Sequence, residues 1–277
     1  MAIERVSVPA AVRTQIEAVD AATPPVPARD AATVALLRDG PGGPQVYLLR
    51  RHGQMMFAAG QAVFPGGAVD PRDGDSDIGW TGPTAAQWGA RFGCPEAVAR
   101  GLVCAAVRET FEESGVLLAG PDPASVVADT TGDDWETDRV GLEAATHGLG
   151  EVLGRRGLLL RSDLLGAWAH WITPAFEPRR YDTRFFVAAL PPGQQTRDVS
   201  GESDAVTWLR PRDALTAAAD GRIDMMPPTV RVCADLADLA YAADALTTAA
   251  ERRFGTIQPR VVVDDGEVWL EIEEQPA

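Results

Sequence analysis

The chain has 277 residues, of which 45% are hydrophobic, so it can bury a core and is not disordered by composition. Its formal net charge of −15 argues against a nucleic-acid binder with a broad basic surface, although a local arginine cluster could still hold an anionic substrate. Its three cysteines form no CxxC pair, which fits a reducing compartment. The sequence shows neither the apolar stretch of a signal peptide nor a membrane-spanning run, so we expect a cytoplasmic protein without a membrane partner.

The N-terminal part of the chain predicts strands followed by an insertion. Residues 1–30 are rich in Ala, Pro and Val and are predicted to form an N-terminal arm. The apolar runs 33–40 and 45–51 predict a hairpin, and 62–67 predicts a short strand that ends in a Pro-Gly-Gly turn. Residues 71–97 then predict a loop insertion with a small helix, which we expect to form a rim beside the functional site.

The rest of the chain alternates irregularly between helices and strands. A helix is predicted from Pro95, which suits a first helical turn, to Gly115, which suits a C-terminal cap. The other predicted elements are a helix at 134–160, strands at 167–174, 183–190 and 205–211, a short helix at 211–221, a long helix at 227–253 and a hairpin at 261–272. The pattern predicts an α/β fold with a mixed sheet. We expect one domain at 31–255 with a helical segment at about 120–165, and a C-terminal hairpin and tail at 256–277.

The sequence R-E-T-F-E-E-S-G-V at 108–116 places three glutamates near the end of the predicted helix. Glu109, Glu112 and Glu113 share one helix face, where like charges cost roughly 0.2–0.5 kcal/mol per pair. The negative end of the helix dipole adds about 0.3–1 kcal/mol for each carboxylate. A divalent cation bound between them would remove both penalties, and carboxylate oxygens suit Mg²⁺, Mn²⁺ or Ca²⁺. For this pattern alone, a solvated acidic face screened by Arg108 is the commoner explanation.

The surrounding motif favours the metal. The stretch resembles the second half of the Nudix box, G-x5-E-x7-R-E-U-x-E-E-x-G-U, in which U is apolar. F-P-G-G-A-V-D at 64–70 resembles the first half, with Gly67 as the leading glycine. Gly67 precedes Arg108 by 41 positions, which is 27 more than the pattern allows, so the box is interrupted by the insertion. Counted back from Arg108, the first glutamate of the box is replaced by Arg100, and Glu96 is its one candidate substitute.

The interrupted box resembles the Nudix subgroup that includes the mammalian peroxisomal coenzyme A diphosphatase. This resemblance implies a Nudix α/β/α sandwich with a mixed sheet and extra helices. It also implies hydrolysis of a diphosphate in a nucleoside-diphosphate-X compound with Mg²⁺ or Mn²⁺ as cofactor, with coenzyme A or acyl-CoA as the first substrate to test. Two alternatives stay open: a pyrophosphatase for a dinucleotide such as NADH or ADP-ribose or for a nucleotide sugar, and a Nudix-fold binding or regulatory protein without turnover.

The resemblance also implies roles for individual residues. Glu112 and Glu113 are expected to be primary metal ligands, and Glu109 a ligand or the general base. Arg108 is expected to orient these glutamates through ion pairs, since an arginine fork holds a carboxylate bidentately. Glu202, in a loop before a predicted strand, is the alternative base.

Substrate contacts are expected from a second group of residues. Gly66 and Gly67 would allow close backbone approach. Arg50, Arg179 and Arg180 are candidates for phosphate binding, and Phe57 is a candidate for contact with an adenine or acyl group. His170, in W-A-H-W-I-T-P, is expected to be a packed, hydrogen-bonded core residue. Homodimers are frequent in the family, so the predicted helix 227–253 is either an interface or part of the core.

Overall fold

The computed structural model describes residues 4–8, 12–14, 16, 24–51, 58–74, 77–198 and 203–275. The strands of this part of the chain are β1 (Glu4–Ser7), β2 (Arg29–Gly40), β3 (Gly43–Arg51), β4 (Gln61–Val63), β5 (Gly66–Ala68), β6 (Trp80–Thr81), β7 (Ala119–Gly120), β8 (Leu159–Arg161), β9 (Gly166–Ile172), β10 (Tyr181–Ala189), β11 (Ser203–Leu209), β12 (Asp224–Met225), β13 (Thr256–Ile257), β14 (Arg260–Asp264) and β15 (Glu267–Ile272). Its α-helices are α1 (Ala85–Phe92), α2 (Glu96–Ser114), α3 (Asp133–Glu143), α4 (Leu149–Arg156), α5 (Pro211–Ala219), α6 (Pro227–Leu236) and α7 (Asp244–Glu251), and short 3-10 helices lie at Pro71–Gly74 and Ser162–Leu164.

A mixed sheet forms the centre of the fold. Its strands run in the order β12-β4-β3-β2-β10-β9-β13, with β11 also paired to β3 and β5 to β2. Strand β2 pairs in parallel with β10 and antiparallel with β3, as the predicted hairpin requires. Because side chains alternate along a strand, Val34 and Leu36 pack in the core with α1 and α2, while Ala35 and Leu37 pack in the core with α6 and α7. Helices on both faces of a mixed sheet confirm the predicted α/β/α sandwich.

Helix α2 carries the glutamates and lies inside the molecule. Pro95 occupies its N-cap, and Gly115, with φ 74°, ends it by donating its N–H to the carbonyl of Phe111. Both ends agree with the sequence prediction. The helix is buried on nearly all sides, which explains why its apolar residues do not follow one amphipathic stripe.

The helical part of the insertion packs into the core, whereas its first turn, Pro71–Gly74, lies beside the end of α2 that carries the glutamates. Trp88 and Phe92 of α1 stack with ring centroids 5.7 Å apart and both contact Phe186 of the main sheet. A capping box between Thr84 and Gln87 starts this helix. Strand β6 joins β8 and β7 in a small separate sheet. Helix α1 and strand β6 therefore support α2 by packing, while Asp73 at the start of the insertion contacts Arg108 beside the glutamates.

Two predicted long helices are each divided in the structure. The predicted helix 134–160 breaks at 144–148, where Ala145 adopts φ 55°. The ring of His147 packs against Gly141, and a Cβ on Gly141 would lie 2.2 Å from that ring. The predicted helix 227–253 breaks at 237–243, where the N–H of Ala242 donates to Oδ1 of Asp39 at 2.7 Å. The carboxylate of Asp39 thus accepts the N–H that would bond to a carbonyl of the preceding turn in a continuous helix. Local sequence periodicity does not reveal a contact with such a distant residue.

The two ends of the described chain form one small sheet, in the order β1-β15-β14. The predicted Asp-Gly turn is present, with φ 49° at Asp265 and 79° at Gly266, as a type I′ hairpin requires. A bridge between Ile257 and Glu274 links this sheet to the main one. None of the described helices is long and apolar enough to cross a membrane.

Candidate active site

Arg108 is the centre of a buried ion-pair network at the end of α2. Its Nη1 donates to Glu109 at 2.7 Å and to Glu112 at 3.2 Å. Its Nε and Nη2 form a bidentate pair with Asp73, at 3.0 Å and 2.9 Å, and Nη2 also donates to the carbonyl of Ala68. The predicted pairing of Arg108 with the box glutamates is therefore present in the structure.

Asp73 is the residue that the sequence analysis missed. It is 1% exposed and lies in the 3-10 helix just after β5. Counted forward from Gly67, Asp73 falls on the first glutamate position of G-x5-E, whereas counting back from Arg108 stays within α2 and reaches Arg100. The conclusion that this carboxylate is lost was wrong, because the insertion follows Asp73 and leaves it beside Gly67.

Arg100 and Glu96 have no part in this network. The guanidinium of Arg100 lies over the ring of Trp80, 5.3 Å from its centroid, on the side of the insertion. Glu96 is exposed in the first turn of α2. At 1.5 Å per residue it lies about 20 Å along the helix axis from Glu109, so it cannot replace the first carboxylate of the box.

The two glycines before Asp73 hold the glutamates against β5. The N–H of Gly66 donates to Oε2 of Glu113 at 2.8 Å. A Cβ on Gly67 would lie 2.4 Å from Oε1 of Glu109, so only glycine leaves room for that carboxylate. In the structure these two glycines contact the glutamates, and the substrate contact predicted for them stays a prediction.

Helix α3 supports the same end of α2. Arg139 is 3% exposed and donates through Nη1 to the carbonyl of Glu112 at 2.8 Å, and it pairs with Glu136 and Glu143. It satisfies a carbonyl that the helix end leaves unbonded. Sequence patterns gave no sign of this contact, because Arg139 lies in a helix of its own.

The electrostatics of the cluster are those of an acidic site short of positive charge. Burial raises the pKa of Glu112 and the Glu109 carboxylate raises it further, whereas the charge and hydrogen bonds of Arg108 lower it, and the net result is a pKa of about 8. Burial also raises the pKa of Asp73 despite its bonds with Arg108. Hard oxygen donors with unbalanced negative charge fit a divalent cation such as Mg²⁺ or Mn²⁺.

The carboxylates are not arranged around a shared point as they stand. In the part of the chain with described positions, no group of three or more His, Cys, Asp or Glu side chains could hold a metal ion in its present arrangement. The reason is that Arg108 binds both Glu109 and Glu112, while Gly66 binds Glu113. Metal ligation by these three residues stays a prediction, and it requires their side chains to turn away from Arg108 and Gly66.

A cavity of about 550 Å³ adjoins the cluster. Its polar end is lined by Arg108 with all three glutamates, by Gly66 and Gly67, and by Asp70, Arg72 and Glu143. Its other end is apolar and includes Trp171, Phe176, Phe185, Leu270 and Ile272. Pockets of this size hold drug-sized ligands, so the cavity can enclose part of a nucleotide-like substrate.

The three arginines that were predicted to bind phosphate are not among the described residues that line the cavity. Arg180 donates to the carbonyls of Thr173, Pro174 and Val26, so its guanidinium holds backbone together. Arg50 and Arg179 are exposed and are not among the described residues that line the cavity. Its described cationic residues are Arg108 and Arg72, and Arg72 forms a bidentate pair with Asp70 that lowers the pKa of Asp70 to about 2.

Of the three remaining predicted residues, one is described by the structure and two are not. Phe57 and Glu202 lie outside the described residues, so their roles stay predictions. His170 is 9% exposed, and its ring nitrogens bond Asp182 and Thr256, in agreement with a packed core residue.

The comparisons with known proteins agree with this architecture. The chain is 28% identical over 249 residues to human "Acyl-coenzyme A diphosphatase NUDT19", covering 73% of this chain and 63% of that protein. It is 26% identical over 219 residues to the Xenopus laevis protein of the same name, covering 66% and 57%. The chain thus spans less than two thirds of the length of these curated relatives.

A solved structure and a family model extend the comparison. The crystal structure of a NUDIX hydrolase from Alicyclobacillus acidocaldarius matches with a TM-score of 0.68 at 29% identity, covering 80% of this chain and 97% of that one. The family model of the NUDT19 Nudix domain matches residues 84–236, which is more than half of the chain. The structure brings both halves of the interrupted box together at Arg108, and the family model matches more than half of the chain. The chain therefore belongs to the NUDT19 Nudix domain family.

Proposed function

We propose that the protein is a divalent-metal-dependent diphosphatase that acts on coenzyme A or acyl-CoA. The observation that carries the proposal is a single cavity with the box glutamates at one end and an apolar compartment at the other. In acyl-coenzyme A the diphosphate lies between an adenosine 3′-phosphate and a pantetheine arm that ends in an apolar acyl group, so the molecule contains both a group for the glutamates and a group for the apolar side chains. The names of the vertebrate relatives support the same substrate class.

The charge of the cavity requires a cation for such a substrate. Its described acidic residues are Asp70, Glu109, Glu112, Glu113, Glu143 and Glu177, and they outnumber Arg72 and Arg108. A diphosphate would be repelled by this excess of negative charge. Mg²⁺ or Mn²⁺ held by Glu112, Glu113 and Glu109 would neutralise the diphosphate and lower the pKa of the attacking water.

The protein groups have distinct roles in this proposal. Arg108 holds the side chains of Glu109 and Glu112 through bonds at 2.7 Å and 3.2 Å, and it lowers the pKa of Glu112 against the larger effect of burial, which raises that pKa. Glu109 is assigned as a metal ligand or as the base that accepts a proton from water, with Glu202 as the alternative base, and its contact with Gly67 beside the other glutamates supports either role. Arg72, on the polar rim, is the candidate for phosphate contact instead of Arg50, Arg179 and Arg180.

The experiment is turnover of a substrate panel by the full chain with Mg²⁺ or Mn²⁺. The panel contains coenzyme A, acyl-CoA, NADH, ADP-ribose and a nucleotide sugar, and products are identified by mass. Water added across the P–O–P bond of coenzyme A gives 4′-phosphopantetheine and adenosine 3′,5′-bisphosphate. We expect these two products, and loss of turnover in Glu113→Gln.

The matched control is Glu96→Gln, since Glu96 is an exposed glutamate on the same helix about 25 Å along the axis from Glu113. It should retain wild-type turnover. Cleavage of NADH or ADP-ribose without coenzyme A cleavage would favour the dinucleotide alternative. No turnover of any compound would favour a binding or regulatory protein and overturn the proposal.

A further inference from the structure

Helix α6 begins at the edge of the cavity. Its N-cap and its first three residues line the cavity and form what we call the α6 wall (226–229): Met226, Pro227, Pro228 and Thr229. The buried face of the helix continues into the core as Val232, Cys233 and Leu236. Thr229 belongs to that same face one turn earlier, so its side chain meets the cavity where the later side chains meet the core.

The α6 wall carries hydrogen-bond donors that have no acceptors. Prolines at the first two helical positions have no N–H, and the N–H of Val230 bonds to the carbonyl of Met226. Between them, the N–H of Thr229 is left without an acceptor among the described residues. The hydroxyl of Thr229 also bonds to none of them, although the residue is only 4% exposed. Because a buried polar group without a partner is costly, a ligand in the cavity is the natural partner for both donors.

The charge of the α6 wall is opposite to that of the glutamate end of the cavity. The N-terminus of a helix carries roughly half a positive charge, and the first turn of α6 contains no acidic residue that would neutralise it. Trp171, which also lines the cavity, is 5% exposed, and its indole N–H has no acceptor in the part of the chain that the structure describes. Donors without acceptors beside a positive helix end suit an anion, above all a phosphate.

The α6 wall and the glutamates are close enough to hold one substrate. Met225, just before the wall, pairs with Ala62, and the N–H of Gly66 bonds to Glu113. The chain from Ala62 to Gly66 spans at most about 14 Å, and paired strands are about 4.8 Å apart. These lengths set an upper limit of roughly 20 Å between the start of α6 and the glutamates. A substrate with its diphosphate at the glutamates can therefore place another phosphate at the α6 wall.

We propose that the α6 wall binds a second phosphate of the substrate through the N–H and the hydroxyl of Thr229. In coenzyme A and its thioesters this group is the 3′-phosphate of the adenosine, which is separate from the diphosphate that is cleaved. The inference rests on the proposed diphosphatase function and makes Thr229 a specificity-determining residue of the same cavity. A compound with the same diphosphate but without the 3′-phosphate is then a poorer substrate.

The first test compares coenzyme A with 3′-dephospho-coenzyme A, which differ only in this phosphate. Hydrogen bonds to a charged group contribute more than neutral ones, so wild-type kcat/KM should be at least roughly tenfold higher for coenzyme A. The difference should lie mainly in KM, because the 3′-phosphate takes no part in the bond that is cleaved.

A pair of threonine variants tests the assignment to α6. Thr229→Val keeps the shape of the side chain and should reduce the ratio of kcat/KM for coenzyme A over 3′-dephospho-coenzyme A by roughly fivefold. Its metal-free melting temperature should equal or exceed that of wild type, because the variant loses a buried hydroxyl without a partner. Thr247→Val, at an exposed position of α7, is the matched control and should leave the ratio unchanged. If Thr229→Val fails to fold, Thr229→Ser and Thr229→Ala replace it, since they differ only in the hydroxyl and the serine variant alone should keep the ratio.

Binding of the nucleotide products separates the inference from the proposed function, because it needs no cleavage. In calorimetry with Mg²⁺, adenosine 3′,5′-bisphosphate should bind at least roughly tenfold more tightly than AMP, and Thr229→Val should lose most of this difference. Equal affinities for the two nucleotides, equal kcat/KM for the two coenzymes, or the same ratio in Thr229→Val and Thr247→Val would overturn the inference. Cleavage of both coenzymes at equal rates would leave the proposed function standing and refute only the phosphate site. Tighter binding of the bisphosphate without any cleavage would do the reverse.

Discussion

Replacing Asp73 by asparagine tests whether this residue is the first carboxylate of the interrupted box. Both of its oxygens are used, because Oδ1 and Oδ2 accept from Arg108 and Oδ2 also accepts the N–H of Asp70 at 2.8 Å. Asparagine keeps the shape but presents an amide N–H₂ where a carboxylate oxygen accepted from Arg108. One donor in a site that is 1% exposed then loses its acceptor.

The expected cost follows from that lost acceptor. Leaving a buried charged donor without its acceptor costs on the order of 1–3 kcal/mol, and Arg108 keeps its bonds to Glu109, Glu112 and Ala68. Burial raises the pKa of Asp73, so part of the ion-pair energy is already cancelled by desolvation. We therefore expect a loss of about 2 kcal/mol in the free energy of unfolding, measured by urea denaturation without metal.

Activity should fall as well, because Arg108 orients Glu109 and Glu112. Residues that hold metal ligands in place typically change affinity or activity by roughly 10–100-fold when replaced. We expect a loss of this size in kcat/KM for the best substrate of the panel, together with a higher Mg²⁺ concentration for half-maximal rate. Asp73→Glu should recover more activity than Asp73→Asn.

The control is a second bidentate pair in the same molecule. Arg161 donates to Asp163 through Nε at 2.8 Å and Nη2 at 2.7 Å, but the Asp163 side chain is 37% exposed. Asp163→Asn should cost less than about 1 kcal/mol, since solvent screens an exposed pair. Equal destabilisation by both substitutions, or full activity in Asp73→Asn, would refute the role given to Asp73.

Two further predictions concern the glutamates. Burial and Glu109 raise the pKa of Glu112 in the folded protein, so the stability that this group contributes at low pH is lost as the pH rises through that pKa. Metal-free Glu112→Gln should therefore melt at an increasingly higher temperature than metal-free wild type as the pH rises from 5 to 9. A melting-temperature difference that stays constant over this range would contradict the prediction. Gly67→Ala should lower kcat more than tenfold because a Cβ would lie 2.4 Å from Glu109. Gly74→Ala should retain wild-type kcat, because a Cβ there would meet none of the described residues within 4 Å.

The features predicted from the sequence are those that depend on neighbouring residues. The two halves of the box, the ends of α2 and the Asp-Gly hairpin are all local patterns, and the structure contains each of them. Asp73 was missed for the same reason. The position of the first carboxylate was counted back from Arg108 within α2, although the first half of the box is contiguous only with Gly67.

Features that depend on tertiary contacts were predicted wrongly or not at all. An arginine before a strand can bind a phosphate or a set of carbonyls, and only the fold shows that Arg180 meets three carbonyls. The break at 237–243 depends on Asp39, which is about 200 positions away in the chain. The apolar wall from Leu270 forms only when β1 and β14 pair with β15, so no local pattern contains it.

The interrupted box has a simple physical explanation. Asp73 and Arg108 are separated by 35 positions instead of the 8 of the uninterrupted pattern, and closing a loop about four times longer costs only about 1 kcal/mol more. The inserted residues offset this cost, because Trp88 and Phe92 bury large rings against Phe186, and burial of one such side chain stabilises by about 1.5–3 kcal/mol. The bidentate pair then fixes the start of the insertion to α2, so the chain between them can vary without displacing the glutamates. The two halves of the box therefore need to be adjacent in the fold but not in the sequence.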